Sequence, residues 1–396
     1  MDVAEGIHTF PISEPTGFAY PPCYRELQEK EPLARIRMAY GMEARLITRH
    51  ADVKAVLSDP RFSRAATVGA DIPRPTAPLL HDTSILSLDP PEHTRLRRLV
   101  AQAFTVRGIE TMRPRVEKAV AGLLDAMEEQ GPPADLVTAL ARPLPLTVIC
   151  DMLGVPDAQS DTFRALAHTL FTGTDQGEVE STVGQMMGLI GELVAERRRA
   201  PSDDLLGRLV QARDQDDRLS EEELVNLALT LLVGGFENTA HEIANFAALV
   251  LGSPEHLAEL RASPELVPAA VEEVLRIAPL SVTGGFVRIA VDDVELSTGT
   301  IRKGEAVVID TQAANLDPAV FDEPTEMDFH RSANPHLIFG HGAHRCIGAE
   351  LARMELQVAA GSLLRRFPEL ALAIPRDAIE FTGGVLRGPA CLPVTW

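Results

Sequence analysis

A single cysteine in a glycine-rich turn is the strongest candidate for chemistry in this chain. The segment Phe339-Gly-His-Gly-Ala-His-Arg-Cys-Ile-Gly348 places Gly340 and Gly342 before Cys346, and a helical pattern follows over about 349–366. Glycines permit close backbone approach to a planar ligand. A cysteine at a helix N-terminus is expected to have a lowered pKa, because free N–H groups favour the thiolate. Such a thiolate suits axial ligation of a haem iron; the alternative is a buried structural cysteine.

A second candidate lies in the middle of a long apolar segment. Ser220-Glu-Glu-Glu223 has the form of a capping box, and the helical pattern after it runs to about Leu251. At 1.5 Å per residue this helix would span roughly 45 Å. Its apolar middle contains Gly234 and Gly235, followed by Glu237-Asn-Thr239. Two such glycines cost about 1 kcal/mol each relative to alanine, so they either permit close helix packing or create a local opening.

Cationic side chains suited to an anionic ligand lie on another predicted helix. Asp89-Pro-Pro-Glu92 resembles a capping box with proline at the first helical position. It predicts a helix over about 91–103, on which His93 and Arg97 share one face because they are four residues apart. The alternative is an exposed basic helix without a ligand.

The order of these segments resembles that of the cytochrome P-450 family. The turn around Cys346 matches the family signature Phe-x-x-Gly-x-x-x-Cys-x-Gly, and Glu273-Val-Leu-Arg276 matches its Glu-x-x-Arg motif. The segment 234–239 is similar to the family's Ala/Gly-Gly-x-Asp/Glu-Thr. The resemblance extends from about residue 20 to the end. It implies a mainly α fold, a triangular helical domain with a small β-rich lobe, forming one haem-thiolate domain over residues 1–396.

The resemblance also implies the roles of particular residues. Haem b would be the cofactor, with Cys346 as axial ligand to the iron. The implied haem contacts are His93, Arg97, Arg288 and His344 at the propionates, with Phe339, Gly340, Gly348 and Gly235 around the ring. Glu273, Arg276 and Arg331 would form a buried structural cluster. Glu237, Asn238 and Thr239 would form the catalytic segment, with Glu237 as the family's acid.

Asn238 stands where the family pattern has a threonine. An amide can hold a water molecule or donate a hydrogen bond, but it is not a hydroxyl. Three consequences stay open. Asn238 replaces the threonine, the substrate supplies a hydroxyl, or the enzyme performs one-electron coupling that needs less proton delivery. We favour the first.

Family analogy places substrate-facing residues in five segments of the chain. In this sequence those segments contain Ile85, Leu86, Leu170, Phe171, Leu231, Val282 and Phe381. These side chains are apolar, which fits a hydrophobic or amphipathic small molecule, although each could equally be plain core. The expected activity is insertion of one oxygen atom from O2, most simply as a hydroxylation in secondary metabolism. Coupling, cyclisation, desaturation or epoxidation on the same fold is the alternative, followed by a non-enzymatic haem protein.

The chain contains no flavin reductase segment, so electrons should come from NAD(P)H through a ferredoxin reductase and a ferredoxin. A basic dock for the ferredoxin is one interpretation of four arginines expected on the cysteine side of the haem, and ordinary solvated arginines are the other. These arginines are Arg95, Arg98, Arg345 and Arg353.

Composition restricts the remaining possibilities. Acids outnumber bases 57 to 37, for a net charge of −20, which argues against a nucleic-acid partner. The four cysteines are far apart and do not suggest disulfides. We expect a cytoplasmic monomer without signal peptide or membrane span. The positioning elements should be mainly helices, including one over 267–277, with a hairpin over 33–48 and short strands at 286–296 and 305–311.

Overall fold

Helices form most of the molecule. The computed structural model describes residues 6–75, 84–172, 176–214, 218–281 and 284–396. The α-helices in these ranges are α1 (Pro22–Lys30), α2 (His50–Ser58), α3 (Glu92–Ala101), α4 (Val106–Glu110), α5 (Arg113–Gln130), α6 (Pro143–Leu153), α7 (Asp157–Thr172), α8 (Gln176–Arg199), α9 (Leu205–Asp214), α10 (Glu221–Leu251), α11 (Pro254–Ala262), α12 (Val267–Ile277), α13 (Thr311–Asn315) and α14 (Ala349–Arg366).

The strands are short and belong to three sheets. They are β1 (Ile7–Thr9), β2 (Leu33–Arg37), β3 (Ala44–Ile47), β4 (Phe62–Ser63), β5 (Ala134–Asp135), β6 (Arg288–Ala290), β7 (Val294–Leu296), β8 (Gly299–Ile301), β9 (Ala306–Ile309), β10 (Ala371–Leu372) and β11 (Pro393–Thr395). The largest sheet has the order β1-β2-β3-β9-β6-β4, and the others are β10-β11-β5 and β7-β8.

The six-stranded sheet joins the N-terminal part of the chain to its last third. The predicted hairpin over 33–48 is confirmed, because β2 and β3 pair antiparallel with Ala34 opposite Leu46. β3 then pairs parallel with β9. Neighbouring residues of β9 point to opposite faces, so Val308 packs on the α1 side and Val307 on the α2 side. Both faces are therefore covered, and the sheet forms the small β-rich lobe.

Helix α10 is the central element of the helical part. Its N-terminus has the predicted capping box, in which the Ser220 hydroxyl accepts from Glu223 N and the Glu223 carboxylate accepts from Ser220 N. The helix has 31 residues, or roughly 46 Å at 1.5 Å per residue. It packs most extensively against α6 and α14. Among the described helices, none combines the length and apolar character required to cross a membrane.

The predicted capping box at the start of α3 is wrong, although the helix itself is present. No side chain caps α3, whose N-cap residue is Pro91. Asp89 instead accepts hydrogen bonds from the Ser63 hydroxyl and from the backbone N–H groups of Arg64 and Ala65. These partners are about 25 residues away in sequence, so the Asp-x-x-Glu spacing could not indicate them. Asp89 therefore fastens the start of α3 to β4.

The core contains carboxyl groups that lack the usual partners. Both carboxylate oxygens of Glu242 in α10 are buried, and the nearby side-chain amide of Asn245 makes no well-formed hydrogen bond with them or with any other described residue. Burial raises the pKa of Glu242 to about 8 because desolvation disfavours the charged form. Burial also raises the pKa of Glu355 in α14. Glu242 is therefore mostly protonated at neutral pH.

Replacing Glu242 with glutamine should remove a pH-dependent part of the folding stability. The folded-state pKa of about 8 exceeds the ordinary value of 4.5. Between these values the folded chain holds a proton that the unfolded chain has released. This stability is full below about pH 4.5 and is lost as the pH rises towards about 8. The free energy of unfolding of the wild type should fall, relative to that of E242Q, by up to about 1.4 kcal/mol per pH unit.

Denaturant unfolding at several pH values in this window measures that difference. The control is E222Q, because Glu222 is exposed on the first turn of the same helix. A wild-type minus E242Q difference that stays constant with pH would contradict the assignment.

Candidate functional site

The backbone around Cys346 requires the glycines that precede it. Cys346 N–H donates to the Phe339 carbonyl at 2.7 Å and so closes the turn. Gly340 and Gly342 have φ values of +67° and +70°, which favour glycine. A Cβ on Gly342 would also lie 2.3 Å from the Leu57 carbonyl oxygen. These two glycines therefore permit both the turn and its close approach to α2.

The Cys346 thiol lies just before α14, whose N-cap residue is Gly348. Its side chain is solvent-accessible, yet burial raises its pKa above the usual range. Both observations hold where a thiol opens onto a cavity enclosed by protein. The Gly348 N–H and the guanidinium of Arg97 act in the opposite direction but do not outweigh burial. The prediction of a lowered pKa from the helix N-terminus is thus wrong for the polypeptide alone; a coordinated metal would deprotonate the thiol.

A buried cluster holds the segment that leads to the cysteine turn. The predicted grouping of Glu273, Arg276 and Arg331 is present in the structure. Arg276 donates to both carboxylate oxygens of Glu273, at 2.6 and 2.9 Å, and Arg331 donates to the same carboxylate at 3.2 Å. Burial alone would raise the pKa of Glu273, but the hydrogen bonds from Arg276 keep it below the usual value. The carboxylate is therefore ionised and supports the fold.

The predicted cationic residues meet beside the cysteine turn. His93 and His344 lie with ring centroids 4.1 Å apart. Arg97 donates to the Arg345 carbonyl and is close enough to Cys346 for charge interaction. Arg288 is 6% exposed, and its Nε is buried without a hydrogen-bond partner among the described residues, as is His344 Nε2. The structure thus brings together four side chains from three separate segments of the chain.

This cationic set has more positive charge than the chain neutralises. Burial, with His93 and Arg288 nearby, lowers the pKa of His344 to about 3, and burial also lowers the pKa of His93. Both imidazoles are therefore neutral at neutral pH. The charged groups that act on these two imidazoles are the guanidinium groups of Arg97, Arg288 and the adjacent Arg64 and the carboxylate of Asp89, which leaves a net charge of about +2. Such a set suits a ligand with two negative charges.

One face of α10 opens onto accessible space. Gly234 and Asn238 are exposed although they lie in the middle of a buried helix. Thr230 is one turn earlier on the same face, and its hydroxyl lies 3.4 Å from that of Ser84. The 3₁₀ turn Ile85–Ser87 follows Ser84 directly. This open face of α10, defined by Thr230, Gly234 and Asn238, therefore lies beside that turn.

The neighbouring residues of α10 point elsewhere. A Cβ on Gly235 would lie 2.9 Å from Ile149 Cγ1, so Gly235 permits close packing of α10 on α6, and Gly234 is the glycine on the open face. Glu237 and Thr239 are buried. Glu237 Oε1 lies 3.3 Å from His241 Nε2, an i,i+4 contact that places a histidine next to the predicted acid.

Comparisons with known proteins agree with this geometry. The Cytochrome P450 family model matches residues 146–379. The chain is 48% identical over 392 residues to a nocardicin C N-oxygenase of Nocardia uniformis subsp. tsuyamanensis, covering 98% of each chain. It is 47% identical over 390 residues to a mycinamicin IV hydroxylase/epoxidase of Micromonospora griseorubida, again covering 98% of each. This chain belongs to the cytochrome P450 family.

A solved relative confirms the fold class. The LnmA cytochrome P450 hydroxylase from the leinamycin biosynthetic pathway of Streptomyces atroolivaceus S-140 superposes with a TM-score of 0.92 at 50% identity. The match covers 98% of this chain and 100% of that one. The mainly α P450 fold with its β-rich lobe is therefore confirmed, and the chain is a P450 monooxygenase with relatives in secondary metabolism.

The side chains of this P450 fit the haem that the family implies. Haem b has two propionate carboxylates, which match the net charge of the cationic set and the unpartnered donors Arg288 Nε and His344 Nε2. The Cys346 thiol lies within charge-interaction range of Arg97 in this set. Phe339 adjoins the turn, and the guanidinium of Arg353 stacks on its ring, 4.6 Å from the centroid. Gly340 and Gly348 add no side chain next to Cys346, and a Cβ on Gly348 would lie 4.0 Å from its Sγ.

The predicted substrate residues have different environments. Ile85 and Leu86 are half-buried in the turn beside the open face of α10. Leu231 is buried within the main hydrophobic core. Phe381 contacts Phe18 edge to face, with centroids 5.0 Å apart. Leu170 and Phe171 lie in α7, but their side chains, like the whole of Val282, lie outside the described part of the chain.

The four arginines predicted to form a ferredoxin dock are not equivalent. Arg95 pairs with Glu223, and Arg353 donates to Glu272 at 2.8 and 2.9 Å. These two are therefore engaged in intramolecular ion pairs. Arg98 is exposed, and Arg345 is exposed with one contact of 3.5 Å to Glu350. Of these four arginines, Arg98 and Arg345 are the ones that form no close ion pair with a described residue.

Sequence reasoning missed two residues of the site. Arg64 lies more than 200 residues before Arg288 and matches no motif, so no local signal indicated it. His241 could have been found, because its i,i+4 spacing from Glu237 places the two side chains on one helix face.

Replacing Cys346 with histidine should retain haem but abolish thiolate ligation. The absorption spectrum of the reduced carbon-monoxide complex measures this, since it depends on the axial ligand. The control is Cys391→Ser, because Cys391 is also a free, exposed cysteine and should leave the spectrum unchanged. A thiolate-type spectrum that persists in C346H, or disappears in C391S, would show that the ligand has been misassigned.

Proposed function

We propose that this P450 inserts one oxygen atom from O2 into a hydrophobic or amphipathic small molecule of secondary metabolism, most simply by hydroxylation. The main observation in support is that the accessible Cys346 thiol adjoins a buried cationic set. This set has a net charge of about +2 and two donors without a partner, Arg288 Nε and His344 Nε2. This combination supports a haem whose propionates are held by His93, Arg97, Arg288 and His344. We further propose that residues 1–396 act as one catalytic domain.

In this proposal the haem would activate oxygen, while the side chains bind and orient the substrate and deliver protons. The open face of α10 is the surface available to oxygen and substrate. Ile85 and Leu86 contribute apolar contacts from the adjoining turn. Glu237, whose Oε1 lies 3.3 Å from His241 Nε2, places a carboxyl group behind this face, where it can transfer protons to the site. Asn238, exposed on it, holds a water molecule through its amide.

Replacing Asn238 with threonine tests the role of the amide. If asparagine is adapted to this position, N238T should form less product per NAD(P)H consumed, by roughly two-fold or more, because the water held by the amide is lost. Product and NAD(P)H are measured in the same reaction. The matched control is Thr230→Ser, which keeps a hydroxyl on the same face. A strongly improved yield in N238T would refute an adapted role for Asn238.

Electrons are proposed to come from NAD(P)H through a ferredoxin reductase and a ferredoxin. Arg97 donates to the Arg345 carbonyl, so the next residue, Arg98, lies beside the cysteine turn. An exposed arginine pair on a chain of net charge −20 would attract an acidic redox partner locally. We therefore propose that, of the four arginines, Arg98 and Arg345 form the docking site for the ferredoxin.

The first functional test combines binding and turnover. The purified holoprotein is titrated with natural-product scaffolds while the haem absorption is followed, and any scaffold that shifts the spectrum is then incubated with ferredoxin, reductase, NAD(P)H and ¹⁸O₂. One labelled oxygen atom in the product supports the proposal.

R98E should lower the ferredoxin-dependent rate and its salt sensitivity, while R199E, also at an exposed position, should not. Substrate-stimulated oxygen consumption that is absent with every scaffold would favour a non-enzymatic haem protein.

The same experiment separates the alternative oxidations. Relatives are named as an N-oxygenase and as a hydroxylase/epoxidase, so the family supports more than one outcome. A product that has lost two hydrogens without gaining oxygen would identify coupling, cyclisation or desaturation. Asn238 in place of threonine is the feature of this chain that favours such a reaction.

A further inference from the structure

Arg64 is a buried arginine that connects two segments near the haem site. Its side chain is 7% exposed. Nε donates to the Leu86 carbonyl at 2.8 Å, and Nη1 donates to the Val287 carbonyl. The guanidinium also lies over the ring of Phe286, 5.0 Å from its centroid. One side chain thus links the Ile85–Ser87 turn to the segment that precedes β6.

The electrostatic surroundings of Arg64 are unfavourable in the polypeptide alone. Burial, together with the nearby charge of Arg288, lowers the pKa of Arg64 to about 10. The opposing charge is that of Asp89, whose carboxylate already accepts from the Ser63 hydroxyl and two backbone N–H groups. A buried cation without a matched anion is costly. The position of Arg64 is therefore best explained by an anionic ligand.

The Arg64 side chain has a donor group to spare for such a ligand. Its second terminal nitrogen, Nη2, makes no hydrogen bond with any described residue. Arg64 lies close enough to His344 to contribute to the lowered pKa of that imidazole. The Arg64 guanidinium thus lies within charge-interaction range of the cationic set.

We propose that Arg64 is a further binding residue for the carboxylates of haem, and that it positions the Ile85–Ser87 turn and Phe286 relative to the cofactor. This inference rests on the proposed haem site. Arg64 completes a set of three guanidinium groups for two carboxylates and one aspartate. Phe286 is 57% exposed, so its ring presents an apolar surface whose place is determined by the same guanidinium. Haem occupancy and the shape of the substrate pocket are then coupled through one residue.

The test compares Arg64→Gln with a matched control. Arg74 also stacks on an aromatic ring, that of Tyr40, and donates to a backbone carbonyl, that of Ile72, but it lies outside the cationic set. The holoproteins are mixed with an excess of a haem-scavenging apoprotein, and the rate of haem transfer is followed by absorption. R64Q should lose haem roughly ten-fold faster than the wild type, since it lacks a charge-assisted hydrogen bond, while R74Q should lose it at the wild-type rate.

Thermal unfolding of the haem-loaded and haem-free forms separates binding from a purely structural role. R64Q should lower the melting temperature of the loaded form more than that of the haem-free form, because removing one of three like charges relieves repulsion in the latter. If R64Q does not accumulate, Arg64→Lys can be used instead, because it retains the charge. Its haem transfer rate should be faster than that of the wild type but less than ten-fold faster.

Two results would overturn the inference. One is a haem transfer rate in the Arg64 variants equal to that of the wild type. The other is an equal loss of melting temperature in both forms, which would show that Arg64 only joins the two backbone segments. Failure of the proposed function is distinguishable from both, because the wild type itself would then bind no haem.

Discussion

The buried carboxylate of Glu273 determines where the segment leading to Cys346 lies. Moving a carboxylate out of water costs several kcal/mol unless its hydrogen-bond partners are all in place, so residues 324–334 have one favourable position against α12. Leu337 N–H then donates to Asn315 Oδ1 at 2.7 Å, which continues the attachment towards the cysteine turn. The groups that satisfy the carboxylate are the side chains of Arg276, Arg331 and Asn334 and the backbone N–H of Asp328.

The cofactor site follows the opposite principle, because its charges are not matched within the chain. Glu273 is fully partnered, whereas Arg64 and Arg288 share the single carboxylate of Asp89. A ligand that binds only the folded chain stabilises it, so a dianionic cofactor would contribute to stability as well as to chemistry. Cys346 likewise depends on the cofactor. Burial disfavours its thiolate in the polypeptide, and a coordinated metal would reverse that preference.

Helix α10 serves the core and the site at once. Successive helical residues are rotated by about 100°, so two adjacent glycines face different surroundings. Gly235 meets Ile149 of α6, while Gly234 shares the open face with Asn238. The alternatives of close packing and local opening are therefore both realised, each by one glycine. The buried acid Glu237 lies on a third side, against His241.

Features that depend on local signals could be predicted from the sequence. The helices predicted over 267–277 and 349–366 have those bounds in the structure, because helical periodicity acts within a few positions. The glycines around Cys346 likewise indicated a tight turn, and the order of the motifs indicated the family. Three features became visible in the three-dimensional structure alone: the partners of Asp89, the ion pair of Arg353 with Glu272, and the position of Arg64 beside Arg288. These contacts join residues tens to hundreds of positions apart, and burial and charge matching between distant segments leave no spacing in the sequence that could predict them.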